Sequence, residues 1–160
     1  MIHLSKKEIL SYILIILVIV LIRTFIVTPI RVNGDSMNDT LKDGDYMILK
    51  KYTKDDLNRF DIVVADVGNE KLIKRVIGLP DEKIEYKSNK LYINDKQVKT
   101  NYGKGNTEDF RDYCSNDEYF IMGDNRGNSL DSRSFGCISK SKIIGTTDFV
   151  LFPFGKWKVN

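Results

Sequence analysis

Ile9 through Ile22 forms an uncharged apolar run broken only by Ser11 and Tyr12, and Phe25-Ile26-Val27 extends it past Arg23. A soluble amphipathic helix keeps one polar face, and this run has none. Residues 9–27, coiled as an α-helix, reach about 28 Å, close to the roughly 30 Å hydrocarbon core of a bilayer. Arg23 stands within a turn or so of the end, where its charge can snorkel to the headgroups. Pro29 then stops the helix. A cleaved secretory signal needs small residues just after its apolar region. The only alanine in the chain is Ala65, and the Arg23–Pro29 stretch offers no such site. The pattern therefore predicts an uncleaved transmembrane anchor over 9–27. Lys6 and Lys7 favour a cytoplasmic N-terminus over residues 1–8, although Arg23 and Arg31 weaken the charge asymmetry. Residues 30–160 are then an extracytoplasmic domain.

Beyond Ile30 the pattern changes to short extended segments divided by turn signals. Tyr46–Leu49, Phe60–Ala65, Leu72–Ile77, Lys83–Tyr86, Leu91–Ile93, Tyr119–Met122 and the stretch from Ile143 to Phe152 read as strands. Such spacing predicts a mainly β domain, a sandwich or barrel-like fold, following the one N-terminal helix. Asp55 to Asn58 reads as a single helical turn, and the polar, glycine-bearing stretch from Tyr102 to Asp117 as a flexible loop. There are no internal repeats or low-complexity tracts.

Composition narrows the chemistry. The chain has 160 residues and a formal charge of +3, with lysines scattered among aspartates, so no nucleic-acid partner is expected. Cys114 and Cys137 lie too far apart for a CxxC motif, and with one histidine in the chain they complete no zinc site of the usual type. They either pair or stay as free buried thiols, free thiols being the default. His3 precedes the apolar run, across a bilayer from everything that follows. A Ser-His-Asp triad, a Cys-His pair and a His-ligated metal in the main domain are thereby excluded. Hydrolytic chemistry here needs Lys, Asp or Glu as its base, without metal or cofactor.

Three islands look unlike ordinary core or turn sequence: Gly34-Asp35-Ser36-Met37, Lys74-Arg75-Val76-Ile77-Gly78-Leu79-Pro80, and the segment from Gly123 to Gly136 that holds Ser129, Asp131 and Arg133. Strand alternation puts Leu72, Lys74 and Val76 on one face, and Ile73, Arg75 and Ile77 on the other. Arginine keeps its proton and needs an anionic partner. Lysine can lose its proton when desolvated, and a neutral amine is a competent base for a serine hydroxyl. The plainer reading is a solvated lysine on an edge strand. The third island reads either as an exposed loop or as a buried polar network. In the network, Asp131 pairs with Arg75 or Arg133 while Ser129 hydrogen-bonds and orients the lysine amine.

Taken in order, the anchor, Gly34-Asp35-Ser36-Met37 with Thr40-Leu41, Phe60-Asp61-Ile62-Val63-Val64, Lys74 to Pro80, and Gly123-Asp124-Asn125-Arg126 with Ser129, Asp131-Ser132-Arg133 and Gly136 resemble bacterial type I signal peptidases. These are membrane-bound serine proteases that remove signal peptides from exported preproteins. The likeness thins between Asn94 and Asn116. It implies a Ser/Lys dyad of Ser36 as nucleophile and Lys74 as general base. It further implies support from Ser129, Asp131, Arg133 and Arg75, and a β-rich catalytic domain outside the cytoplasm against the membrane lipid. Absence of a second span looks like the compact Gram-positive subtype, and a monomer is expected. Substrate is expected to add as a strand near Val32 and Leu72-Ile73, with pockets that by resemblance take small residues at −3 and −1.

The chain departs from the family pattern at Asp39, where a proline is usual, at Gly34, where many two-span members carry a serine, and at Pro80-Asp81-Glu82. Gly34 leaves an oxyanion hole built from backbone N–H groups, that of Ser36 among them. Two other readings remain: a membrane-tethered, non-catalytic β module of this fold, and a self-cleaving Ser/Lys protease of the repressor type.

Overall fold

The computed structural model describes residues 5–25, 27–51, 57–68 and 70–153. Helix α1 runs from Lys6 to Phe25. Ser5 and Glu8 form a capping box at its start: Glu8 accepts from Ser5 N at 2.7 Å and Ser5 Oγ accepts from Glu8 N at 3.3 Å. Its described side chains, from Lys6 to Leu21, are exposed, including large aliphatics such as Leu10, Ile13, Leu14 and Ile16. Among the described residues no helix is long and apolar enough to cross a membrane.

Among the described residues twelve strands follow: β1 (Val27–Arg31), β2 (Tyr46–Lys50), β3 (Ile62–Asp66), β4 (Lys71–Gly78), β5 (Lys83–Lys87), β6 (Lys90–Ile93), β7 (Lys96–Val98), β8 (Phe110–Tyr113), β9 (Glu118–Met122), β10 (Ile138–Ser139), β11 (Ile143–Thr147) and β12 (Val150–Phe152). A short helix α2 spans Ser132–Phe135. Among the described residues the strands form an eight-stranded sheet, β1-β2-β11-β3-β4-β9-β10 with β12 on β2, and a four-stranded sheet, β7-β6-β5-β8. The domain is mainly β, as its strand-and-turn pattern predicts. Val27 belongs to β1, paired with Lys50, so the helix ends short of the expected boundary. Pro29 is accommodated because β1 is an edge strand, where a missing N–H breaks no ladder.

The centre of the large sheet explains why its strands read as unbroken apolar runs. β9 sends Phe120 and Met122 into one core cluster with Ile77, Ile84 and Leu91, and Tyr119 and Ile121 into another with Val63, Ala65 and Val76. A strand covered on both faces has no polar alternation to show. A third cluster joins Val32, Met37, Leu41, Met47, Ile62 and Val150 beneath the loop between β1 and β2.

Three expectations are corrected. Phe60 stands outside β3 with φ of 76°, in the turn that precedes it. The stretch from Tyr102 to Asp117 is no structureless loop. It contains β8, a buried Thr107, and Tyr102 packed against Phe60 with ring centroids 5.3 Å apart. The thiols that default to the free state are joined: Cys114, just after β8, bonds Cys137, just before β10, with Cα atoms 5.6 Å apart. Of the helical turn expected over Asp55 to Asn58, Leu57 and Asn58 are not helical, and Asp55 and Asp56 lie outside the described residues.

The disulfide closes a sequence separation of 23 residues between the two sheets. Loop-closure entropy of that order stabilises by about 3 kcal/mol. The double variant Cys114→Ala/Cys137→Ala is therefore expected to lose about 2–4 kcal/mol in denaturant unfolding of the full chain in detergent, and an unchanged midpoint would contradict this.

Candidate active site

The loop from Val32 to Asp45 is tied at its base and wound tightly at its tip. Val32 N donates to Asp45 O at 2.8 Å and Gly44 N to Val32 O at 3.0 Å, while Asp43 Oδ1 accepts from Gly34 N at 2.8 Å. Asn38 N bonds Asp35 O at 3.0 Å, and both Thr40 N and Leu41 N bond Met37 O at 2.9 Å. Met37 and Leu41 are buried beneath the turn and pin it to the core. Ser36 sits on this turn, half-buried.

Lys74 reaches the same point from β4, whose partner on one side is β3, with Val63 opposite Lys74, and on the other β9. Its Nζ lies 2.7 Å from Ser36 Oγ, and the residue is only 2% exposed. Burial pulls the amine below its ordinary pKa. The Asp131 and Asp124 carboxylates push the other way, and Arg133 adds to the lowering.

Arg75, adjacent on the strand, faces the opposite side and is fully buried. Its partner is Asp124, with Nε 3.0 Å from Oδ1 and Nη2 2.7 Å from Oδ2, and its Nη1 donates to Phe60 O at 2.8 Å. The Tyr102 ring covers the guanidinium, 3.7 Å from its carbon to the ring centroid. Thr40 Oγ1 donates to the same Asp124 carboxylate. Asn125 N donates to Ser36 O at 2.9 Å, and its side-chain amide to Asp35 O at 3.2 Å. The Arg75–Asp124 pair thus fastens the serine turn to the strand that carries the lysine.

Asp131 caps α2 and gathers the third island around β9. It accepts from Arg133 Nε at 2.8 Å, from Arg133 Nη2 at 2.9 Å and from Gly123 N at 3.0 Å, while Ser132 Oγ accepts from Ile121 N at 3.0 Å. Burial alone raises the Asp131 carboxyl, but Arg133, the Gly123 N–H and the Ser129 hydroxyl outweigh it and hold the pKa below the usual range. Ser129 Oγ, near enough to bias that carboxylate, nevertheless meets no partner at hydrogen-bond geometry. It packs over Gly123, where a Cβ would fall 2.2 Å from Ser129 Oγ and 2.5 Å from Ser36 O, so only glycine fits between them.

Of the residues expected to act together, Ser36 and Lys74 meet, and Asp131 pairs with Arg133. Arg75 pairs with Asp124 and not with Asp131, because it faces the side of the sheet reached by Thr40 and Asp124. The hydrogen bond expected from Ser129 to Lys74 is absent. Val32, Leu72 and Ile73 line one groove of about 380 Å³ that runs to Ser36 and Lys74. Thr40, Asp124 and Asn125 stand within the family motifs but carried no role in the sequence reading, and Tyr102 was read only as the start of a loop. A buried arginine demands an acid, but only the β4–β9 register, with Arg75 opposite Met122, points to Asp124 two residues on. Among the described residues no His, Cys, Asp or Glu cluster could hold a metal.

A model of the family described as signal peptidase, peptidase S26, matches residues 5–152. The chain belongs to that family. Signal peptidase I of Bacillus amyloliquefaciens is 40% identical over 91% of this chain and 87% of its own. Signal peptidase IB of Staphylococcus aureus is 34% identical over 97% of this chain and 95% of its own. The crystal structure of a signal peptidase I from Enterococcus faecalis superposes with a TM-score of 0.54 at 30% identity, covering 59% of this chain and 98% of that one.

The lowered Lys74 pKa has a thermodynamic signature. Between that pKa and the unperturbed value of about 10.4, the unfolded chain binds a proton that the folded chain does not, so stability rises with pH across the window. Lys74→Met, similar in length and uncharged, is expected to abolish this contribution. The stability difference, wild type minus variant, should grow from pH 7 to 10 in urea unfolding, and parallel pH dependences would refute the depressed pKa.

Proposed function

We propose that this member of the signal peptidase family removes N-terminal signal peptides from exported preproteins, with Ser36 as nucleophile and Lys74 as general base. The observation that carries the reading is the 2.7 Å approach of a desolvated lysine amine to a serine hydroxyl in a chain whose one histidine precedes the apolar run. Neutral Lys74 takes the proton from Ser36 Oγ as the oxygen attacks the scissile carbonyl. The resulting oxyanion is received by the Ser36 N–H, since Gly34 N–H is already committed to Asp43. Lysine then passes its proton to the leaving amine. Water, deprotonated in turn by Lys74, hydrolyses the acyl ester and restores the serine.

Substrate lies extended along the groove between β1 and β4, with Val32, Leu72 and Ile73 shaping pockets for small side chains. Asp131 with Arg133, and Arg75 with Asp124, are positioning pairs: they hold the third island and the serine turn against β4 and contact no substrate. Ser129 closes the site behind Gly123.

The apolar run over 9–27 serves as a membrane anchor, with residues 1–8 cytoplasmic and the β domain of 30–160 outside. The exposed apolar side chains of α1 between Ile9 and Leu21 support this, because such a surface is unfavourable in water. The Cys114–Cys137 bond supports the extracytoplasmic side, where disulfides persist. Anchoring confines enzyme and preprotein to one surface and so raises their encounter.

Two experiments test the proposal. Purified full-length chain in detergent is expected to cut a preprotein after its signal peptide, and Ser36→Ala or Lys74→Ala to lower kcat by about 10³-fold or more; equal rates in all three would remove the dyad. The rate should also rise through a pKa well below about 10.4 as Lys74 deprotonates, whereas a rise confined to that value would mean a solvated lysine.

A further inference from the structure

Residues 102–104 line no part of the groove beside the dyad, and they fall in the stretch where the likeness to the family thins. They nevertheless touch what holds Ser36. Asn125 is the link: its N donates to Ser36 O at 2.9 Å and its side-chain amide to Asp35 O at 3.2 Å. On the opposite side the same segment meets Lys104. Lys104 N donates to Asp124 O at 2.6 Å, and Lys104 O accepts from Arg126 N at 2.9 Å. These two bonds form a parallel bridge between Lys104 and Asn125. Asn125 therefore lies between two backbones, one carrying the serine and the other carrying Lys104.

The side chains add two further ties. Tyr102 lays its ring on the Arg75 guanidinium, 3.7 Å from its carbon, and against Phe60, whose carbonyl accepts from Arg75 Nη1 at 2.8 Å. Arg75 is held in turn by Asp124, the residue before Asn125. Gly103, with φ of 94°, lets the chain lie on the Arg126 guanidinium, where a Cβ would come within 2.4 Å of Cζ. Lys104 Nζ then crosses to the serine loop and meets Asp39 Oδ1 at 3.2 Å. Asp39 is a position at which the chain leaves the family pattern, and its partner comes from the stretch that does likewise.

We propose that residues 102–104 are a strap that positions the nucleophile, with Tyr102 and Lys104 as positioning residues acting through Asp124, Asn125 and Asp39. The inference rests on Ser36 being the nucleophile. Its Oγ must stay at the 2.7 Å that separates it from Lys74 Nζ, and a shift of about 1 Å at a reacting group can lower a rate on the order of 10²-fold. The Tyr102 ring covers the Arg75–Asp124 pair, so the pair keeps its grip on the turn away from water. The Asp39–Lys104 pair is exposed and adds little to stability. Its effect is a restraint on the far side of the serine turn, which turnover reads and unfolding does not.

The test measures kcat and KM for preprotein cleavage by the full chain in detergent, beside hydrogen exchange at the Asn125 amide. Tyr102→Leu is expected to lower kcat about ten-fold with KM within about two-fold, while Tyr102→Phe, which keeps the ring, retains kcat within about two-fold. Lys104→Gln and Asp39→Asn, both on exposed positions, should each lower kcat about two- to three-fold, and the double variant no further than either alone. Asn125 exchange should quicken in Tyr102→Leu while the β9 amides keep their protection. Exchange needs no turnover, so the two readings separate: equal rates for wild type and Ser36→Ala remove the dyad, and the exchange result alone then decides the strap. Should Tyr102→Leu fail to fold, the exposed pair decides. The strap is overturned if Tyr102→Leu cuts at the wild-type kcat, if its loss lies wholly in KM, if Tyr102→Phe loses as much, or if Asn125 exchange is unchanged. It is equally overturned if the Asp39→Asn and Lys104→Gln losses multiply in the double variant, or if neither variant changes kcat.

Discussion

Everything around the site follows from keeping one lysine amine out of water beside one serine hydroxyl. Lysine in solvent is protonated at neutral pH and useless as a base, so the fold must surround it, and surrounding it is costly. A strand in the middle of a sheet covered on both faces does this. β4 has β3 and β9 as neighbours, and its residues from Lys74 to Gly78 are buried. The same burial traps Arg75, which cannot shed its proton, and so obliges the fold to supply Asp124 on the other face. A single desolvated strand thereby carries both the buried amine beside Ser36 and the ion pair that braces the serine turn.

The two carboxylates near the lysine illustrate a balance of opposing effects. Asp131 and Asp124 favour its charged form, while burial and Arg133 favour the neutral one. Each acid is neutralised at short range by its own arginine, so its pull on Lys74 is diminished and burial prevails. Such pairs contribute little net stability against hydrophobic substitutes of equal volume. Their value here lies in fixing geometry, since each one bonds backbone or side-chain groups of a second segment.

The large features of the fold were legible because they rest on local pattern. β2, β4, β5, β6 and β9 carry β-branched and apolar runs bounded by turn residues, and their extents agree with the sequence reading to within a residue or two. The pairing of Ser36 with Lys74 was legible only through the family resemblance, because excluding the one histidine left Lys, Asp or Glu as base and the lysine alone read as solvated on an edge strand. β7, β8 and β10 were missed, being short and polar, and their pairing is set by partners distant in the chain. The Arg75–Asp124 pair failed for the same reason. Choosing between Asp124 and Asp131 requires the register of β9 on β4, including the irregularity between Val76 and Gly78, and no periodicity encodes it. The Tyr102 stretch misled because glycine and polar residues there serve close packing against Arg75 and Arg126.

The site's residues are scattered along the chain. Ser36 and Lys74 are separated by 38 positions, Arg75 and Asp124 by 49, and the Asp131 cap lies further on. A fragment that carries the whole set must run at least from Ser36 to Arg133, and the serine turn meets its anchor in Asn125 only where β9 lies beside β4. A nascent chain that has emerged only as far as Lys74 contains Ser36 and Lys74 without the strand that holds the serine turn in place. The serine turn therefore gains its hold on Asn125 only in a chain long enough to include β9.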